Sequence, residues 1–250
     1  MASSSAPNGP PPAYATAITP QATSAAGDDS DPYAFLTQFD TVFLIDDSGS
    51  MAGRSWRETQ RALEAITPIC TSHDADGIDI YFLNEQDNPW YHNVRTSSTV
   101  AEIFSAVRPK GSTPLGQRLN KILKPYLSRC EANLDLTKPM NIIVITDGEP
   151  SDDPEGVIIQ AAKKLDKLDA PAWQVGIQFF QVGKEAGAKE YLQSLDDNLG
   201  GGQNIRDMVD TQPWTNDNDD ELNAEGIMKT VLGAVNRRLD RKRSPNLFAK

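Results

Sequence analysis

Thr41-Val42-Phe43-Leu44-Ile45-Asp46-Asp47-Ser48-Gly49-Ser50-Met51 decides how the rest of the chain is read. A β-prone, mostly apolar run from Thr41 to Ile45 leads straight into acids, hydroxyls and a glycine. Such a run predicts a strand buried on both faces, as inside a parallel sheet. If the chain stays extended beyond it, residues i, i+2 and i+4 point to one side. Asp46, Ser48 and Ser50 then converge, while Asp47 and Gly49 turn away. One carboxylate and two hydroxyls are hard oxygen donors, the type a magnesium-sized cation takes. The same letters also suit a strand followed by a helix cap, with Ser48 or Ser50 accepting from free backbone N–H groups. The stretch alone leaves both readings open.

Further strands are predicted downstream at Ile78–Leu83, Met140–Gly148 and Trp173–Val182, with a last one over Ile205–Val209. A short, more polar segment over Trp90–Val94 reads as an edge strand. Between them, apolar spacing predicts helices at Trp56–Ser72, Thr99–Val107, Pro114–Arg129, Glu155–Leu168, Lys184–Leu195 and Ala224–Asp240. Thr99 is the expected cap of the second helix and Thr113 that of the third, with Pro114 in its first turn. Asp196–Asn204, with its glycines, reads as a loop. Alternating strands and helices predict one α/β domain over residues 32–240, built on a mostly parallel sheet.

The ends of the chain differ in composition. Residues 1–31 are rich in Ser, Ala, Pro and Thr and predict a disordered arm, because so little apolar surface cannot offset the ordering entropy. Within the arm, Pro11-Pro12-Ala13-Tyr14 has the Pro-Pro-x-Tyr form that WW domains grip; a low-complexity linker is the plainer alternative. The expected last helix ends in Arg237 and Arg238, and a basic tail, 241–250, opens with Arg241-Lys242-Arg243. These charges complement the helix C-terminal dipole. His73-Asp74-Ala75-Asp76-Gly77 resembles a calcium loop only superficially, since Leu83 stands where a bidentate Glu is required.

A formal net charge of −11 disfavours nucleic acid and anionic membranes as partners, because both need a basic face. No apolar run is long enough to span a bilayer, and the first residues show neither a positive cluster nor an apolar core of a secretory signal. There is no Asn-x-Ser/Thr acceptor, and Cys70 and Cys130 make no disulfide framework. The expectation is a protein with reduced thiols in the cytosol or nucleus.

Two distant segments bear on the opening stretch. In a parallel sheet the carboxyl ends of the strands share one edge, where ligands collect. Asp46 ends one predicted strand and Asp147 another, and Thr113 lies in a Gly-containing loop that can cross the same edge. Asp46-x-Ser48-x-Ser50, then Thr113, then Asp147-Gly148 resembles the von Willebrand factor type A domain with its metal-ion-dependent adhesion site, over roughly Phe39–Val209. The resemblance implies a Rossmann-like three-layer α/β/α sandwich, its sheet mostly parallel with one short antiparallel edge strand. It implies that Ser48 and Ser50 bind Mg2+, or Mn2+, through their hydroxyls. Thr113 would bind directly or through water, and Asp46 and Asp147 mostly through water. It further implies a protein-binding module in which an acidic residue of a partner completes the coordination. Asp47, Glu149, Asp152 and Asp153 are expected to form an acidic rim that repels acidic partners except at the ion, and Glu149-Pro150 are candidates for setting partner choice.

Enzymatic readings fare worse. Only His73 and His92 could serve a Ser-His-Asp hydrolase, and Gly-x-Ser-x-Gly is absent. A magnesium-dependent phosphatase would share the acids at a sheet edge but lacks a paired Asp-x-Asp nucleophile motif on the strand. Neither a P-loop nor Gly-x-Gly-x-x-Gly is present. The chain is expected not to be an enzyme.

Overall fold

The computed structural model describes residues 34–74, 76–183, 186–201, 206–212 and 226–228. The predicted arm with Pro11, Pro12 and Tyr14, most of the predicted last helix and the basic tail lie outside the described residues. Five strands form one sheet in the order β2-β1-β3-β4-β5: β1 (Asp40–Ile45), β2 (Asp79–Phe82), β3 (Met140–Thr146), β4 (Val175–Gln181) and β5 (Val209–Gln212). Every described pairing between them is parallel. The helices are α1 (Arg54–His73), α2 (Ser97–Ala106), α3 (Leu115–Ala132), α4 (Pro154–Lys167) and α5 (Ala186–Gly201).

β-branched and aromatic residues dominate β1, β3 and β4, and β3 and β4 are buried along their whole length, with Asn141 and Gln178 included. Alternation then sorts the side chains into two cores. Phe43, Ile45, Ile143, Ile145 and Phe180 face α1 and α2, whereas Val42, Leu44, Ile142, Val144 and Phe179 face α3, α4 and α5. This is the expected three-layer, Rossmann-like α/β/α sandwich. Residues 226–228 are helical, and Ile227 and Met228 join the first core. Cys70 and Cys130 are buried free thiols, one in each core. Among the described residues no helix is long and apolar enough to cross a membrane.

Four expectations about the elements need correction. Thr99 is not the cap of α2: Thr96 holds that position, and its hydroxyl accepts from Thr99 N at 3.2 Å. The antiparallel edge strand over 90–94 is not formed; the contact shrinks to a single bridge between Ile78 and Val94. Pro89–Tyr91 instead winds into a 3-10 turn, because the Asn88 side chain accepts from Trp90 N at 3.0 Å and Pro89 suits the first turn. The glycine-bearing stretch after Leu195 stays helical as far as Gly201, since Leu199 continues the buried period of Leu192 and Leu195. The last strand is correspondingly displaced to Val209–Gln212.

Candidate functional site

The order β2-β1-β3 places a topological switch point between β1 and β3, where chains leaving the two carboxyl ends depart in opposite directions. Ile45 pairs with Ile145, and Asp46 N donates to Ile145 O at 2.9 Å, so the ladder carries Asp46 one residue beyond β1. Asp147 follows the end of β3 directly. Both carboxylates therefore sit at the same crevice, Asp46 fully buried and Asp147 only 3% exposed.

Asp46 is fixed by two donors: Ser48 N to Oδ1 at 2.8 Å, and Thr146 Oγ1 to Oδ2 at 2.6 Å. Ser48 keeps extended backbone angles before a 3-10 turn at Gly49–Met51. The Ser48 and Ser50 hydroxyls lie 3.0 Å apart, and Ser50 Oγ donates to Asp147 Oδ1 at 2.8 Å. Ser48 stands at the N-cap of the 3-10 turn without a side-chain capping bond, and Gly53 occupies that place at α1. The capping alternative for these serines is thus not what the structure adopts. Ser48 is buried and Ser50 exposed, so the hydroxyl pair leads from the crevice to solvent.

The loop that carries Thr113 runs along the same crevice. Gly49 N donates to Gly111 O at 3.2 Å, Lys110 N to Asp47 O at 2.7 Å, and Ser151 N to Thr113 O at 2.9 Å. The loop thereby touches both the segment after β1 and the segment after β3. The expected capping role of Thr113 is corrected: Pro114 holds the N-cap position of α3. The missing side-chain acceptor is supplied from a distance by Asp152, which accepts from Gly116 N at 2.8 Å and Gln117 N at 2.7 Å. Thr113 itself is buried and spared from capping.

The expected acidic rim also changes character. Asp47 does turn away from Asp46, as alternation predicts, but its carboxylate is buried and accepts from Asn84 N, Asn84 Nδ2 and Glu85 N at 2.7, 3.2 and 2.8 Å. Burial raises its pKa above the ordinary carboxylate value, against the pull of those donors. Asp152 is spent on α3, and Asp153 accepts from Gly156 N at 2.9 Å at the start of α4. Three of the four carboxylates therefore face backbone amides. Glu149 folds against Gly187 in α5, where an added Cβ would come within 2.4 Å of its Oε1.

Sequence reasoning missed Asp152, Asn84 and Arg118 as parts of this framework. No local pattern marks them, because their bonds span 28 to 36 residues of chain. Among the described residues no three His, Cys, Asp or Glu side chains are gathered for a metal. The candidate donors are two carboxylates and three hydroxyls, too few charges for a calcium cage but suited to a small hard cation that keeps water. Neither imidazole belongs to this group: His73 contacts Ser72 and Ile69 O at the far end of α1, and His92 lies between Asp79 and Asp87.

A family model described as von Willebrand factor type A domain matches residues 40–210. A von Willebrand factor A domain-containing protein of Dictyostelium discoideum is 27% identical over 158 residues, which make up 62% of this chain. The match spans only 17% of that relative's length.

Proposed function

Because the chain belongs to the von Willebrand factor type A domain family, whose members are generally protein-interaction modules, we propose that it binds a partner protein through a cation held at the β1/β3 crevice. Ser48, Ser50, Thr113, Asp46 and Asp147 would hold Mg2+, with Mn2+ as the alternative. A cation so held supplies an electrophilic position that an acidic side chain of the partner can fill.

One observation carries the reading. Ser48, Ser50 and Asp147 come from segments nearly a hundred residues apart and join at 3.0 and 2.8 Å, with neither hydroxyl used as a cap. The chain's own groups then have separable tasks. Thr146 and the Ser48 amide orient the Asp46 carboxylate. Ser50 connects the buried oxygens to solvent, where a partner can approach. Asp47, Asp152 and Asp153, directed at backbone amides, leave less negative field over the opening than their number suggests, which favours an acidic partner.

Calorimetry with Mg2+ and Mn2+, each with and without a short peptide bearing one glutamate, tests this. Uptake by the wild type that is abolished in Asp147→Ala is expected. No heat of binding to the folded protein under any of these conditions removes the proposal.

A further inference from the structure

Helix α3 is capped in an unusual way. Its N-cap residue, Pro114, has no side-chain acceptor, and Gly116 and Gln117, the two amides an N-cap side chain ordinarily serves, both donate to Asp152. Asp152 belongs to the loop leaving β3, five residues after Asp147. The same loop donates Ser151 N to Thr113 O, and Gly116 lies so close to it that an added Cβ would be 2.6 Å from Asp153 O. A local cap would tie α3 only to its own loop. This one ties the start of α3, and Thr113 beside it, to the segment that carries Asp147.

We propose that Asp152 is a positioning residue for Thr113: by clamping the first turn of α3 to the β3–α4 loop, it fixes Thr113 relative to Asp147 and so sets how tightly the crevice binds its cation. This rests on the metal-binding reading above. The Asp152 carboxylate accepts from the backbone amides of Gly116 and Gln117, so its influence reaches Thr113 through the backbone. Thr113 is the site residue that the backbone delivers. Asn84 braces the opposite side of the loop, with Nδ2 donating to Ser112 O at 2.8 Å, so loss of Asp152 frees one flank only.

A double-mutant cycle reads this directly. Mn2+ affinity is measured by calorimetry for the wild type, Asp147→Ala, Thr113→Ala, Asp152→Ala and the Thr113→Ala/Asp152→Ala pair, each checked for folding by thermal unfolding. Asp152→Asn, which keeps one acceptor for the amides, serves as the milder variant should Asp152→Ala fold poorly. The expectation is a loss of roughly three- to tenfold on removing Asp152 in the wild type, a smaller loss for Asp152→Asn, and little or none where Thr113 is already Ala. A merely structural role would lower affinity equally in both backgrounds. Equal loss, or none in the wild-type background while Asp147→Ala still abolishes uptake, overturns the inference and leaves the metal site standing. No uptake by the wild type overturns both.

Discussion

Asp47 and Arg118 grip the same turn from opposite sides. The Asp47 carboxylate accepts from the amides of Asn84 and Glu85, while the Arg118 guanidinium, buried at the start of α3, donates to the carbonyls of Phe82 and Glu85. The turn ends β2 and passes its side chain, Asn84, to the Thr113 loop. An acid that alternation turns away from the crevice thus holds the framework around it.

Asp47→Ala should be strongly destabilising. It leaves the half-buried Asn84 and Glu85 amides without their acceptor, at about 2–4 kcal/mol. Urea unfolding in EDTA measures the fold alone. A midpoint within experimental error of the wild type would show that the turn does not depend on this clamp.

Much of the architecture was legible because it is local. β1 and β3 announce themselves as apolar runs ending in acids, and α1, α3 and α4 as 3.6-residue periods, so the crevice between Asp46 and Asp147 could be located from strand ends alone. What escaped was long-range. Thr113 looked like a cap because Ser/Thr before Pro at a helix start usually is one, yet Asp152 takes that task from 35 and 36 residues away. Asp152 and Asp153 looked like a charged rim because sequence shows charge without direction. Trp90–Val94 has the composition of an edge strand, but Asn88 and Pro89 start a 3-10 turn that local propensity alone does not rank above pairing.

Gly116→Ala sets helix propensity against packing. Within a helix Ala is favoured over Gly by up to about 1 kcal/mol. Here an added Cβ would meet Asp153 O at 2.6 Å, Asp153 C at 2.7 Å and Pro154 N at 2.9 Å, all backbone atoms that cannot swing aside. Overpacking of this kind costs about 1–3 kcal/mol, so net destabilisation is expected. Chemical denaturation decides the sign, and a stabilised variant would mean that the α3 and α4 starts can separate freely.

The amino edge of the sheet carries a pH-sensitive group. Burial pushes the Asp74 carboxyl up to about 6, helped by its hydrogen bond to Asp76, while Lys138 Nζ at 2.9 Å opposes the shift. A carboxyl whose pKa is higher in the folded state holds its proton better there than in the unfolded chain. Its stabilising contribution is therefore present below the unfolded value of 3.8 and is lost as pH rises through about 6. Asp76, lowered chiefly by the same hydrogen bond, works in the opposite sense. Relative to Asp74→Asn, the wild type should lose stability between about pH 4 and pH 7. Parallel stability–pH curves for the two proteins would refute this assignment.

Cation binding at the crevice should appear as stability. Asp46 and Asp147 bring two buried carboxylates to one site, and Asp147 Oδ1 is reached by the Ser50 hydroxyl at 2.8 Å. Without a cation, the folded state bears their mutual repulsion, whereas the unfolded chain keeps them apart in water. A ligand that binds only the folded state adds about 2.7 kcal/mol at one hundred times its dissociation constant. Mg2+ should therefore raise the unfolding midpoint of the wild type in a concentration-dependent manner. Asp147→Asn keeps an acceptor for Ser50 but removes one charge. It should be at least as stable as the wild type in EDTA and gain almost nothing from Mg2+, so that the order of the two proteins reverses as the metal is added. Equal Mg2+-dependent shifts for both would assign the effect to general salt or to a cation held elsewhere, because neither distinguishes a carboxylate from its amide at this one buried position.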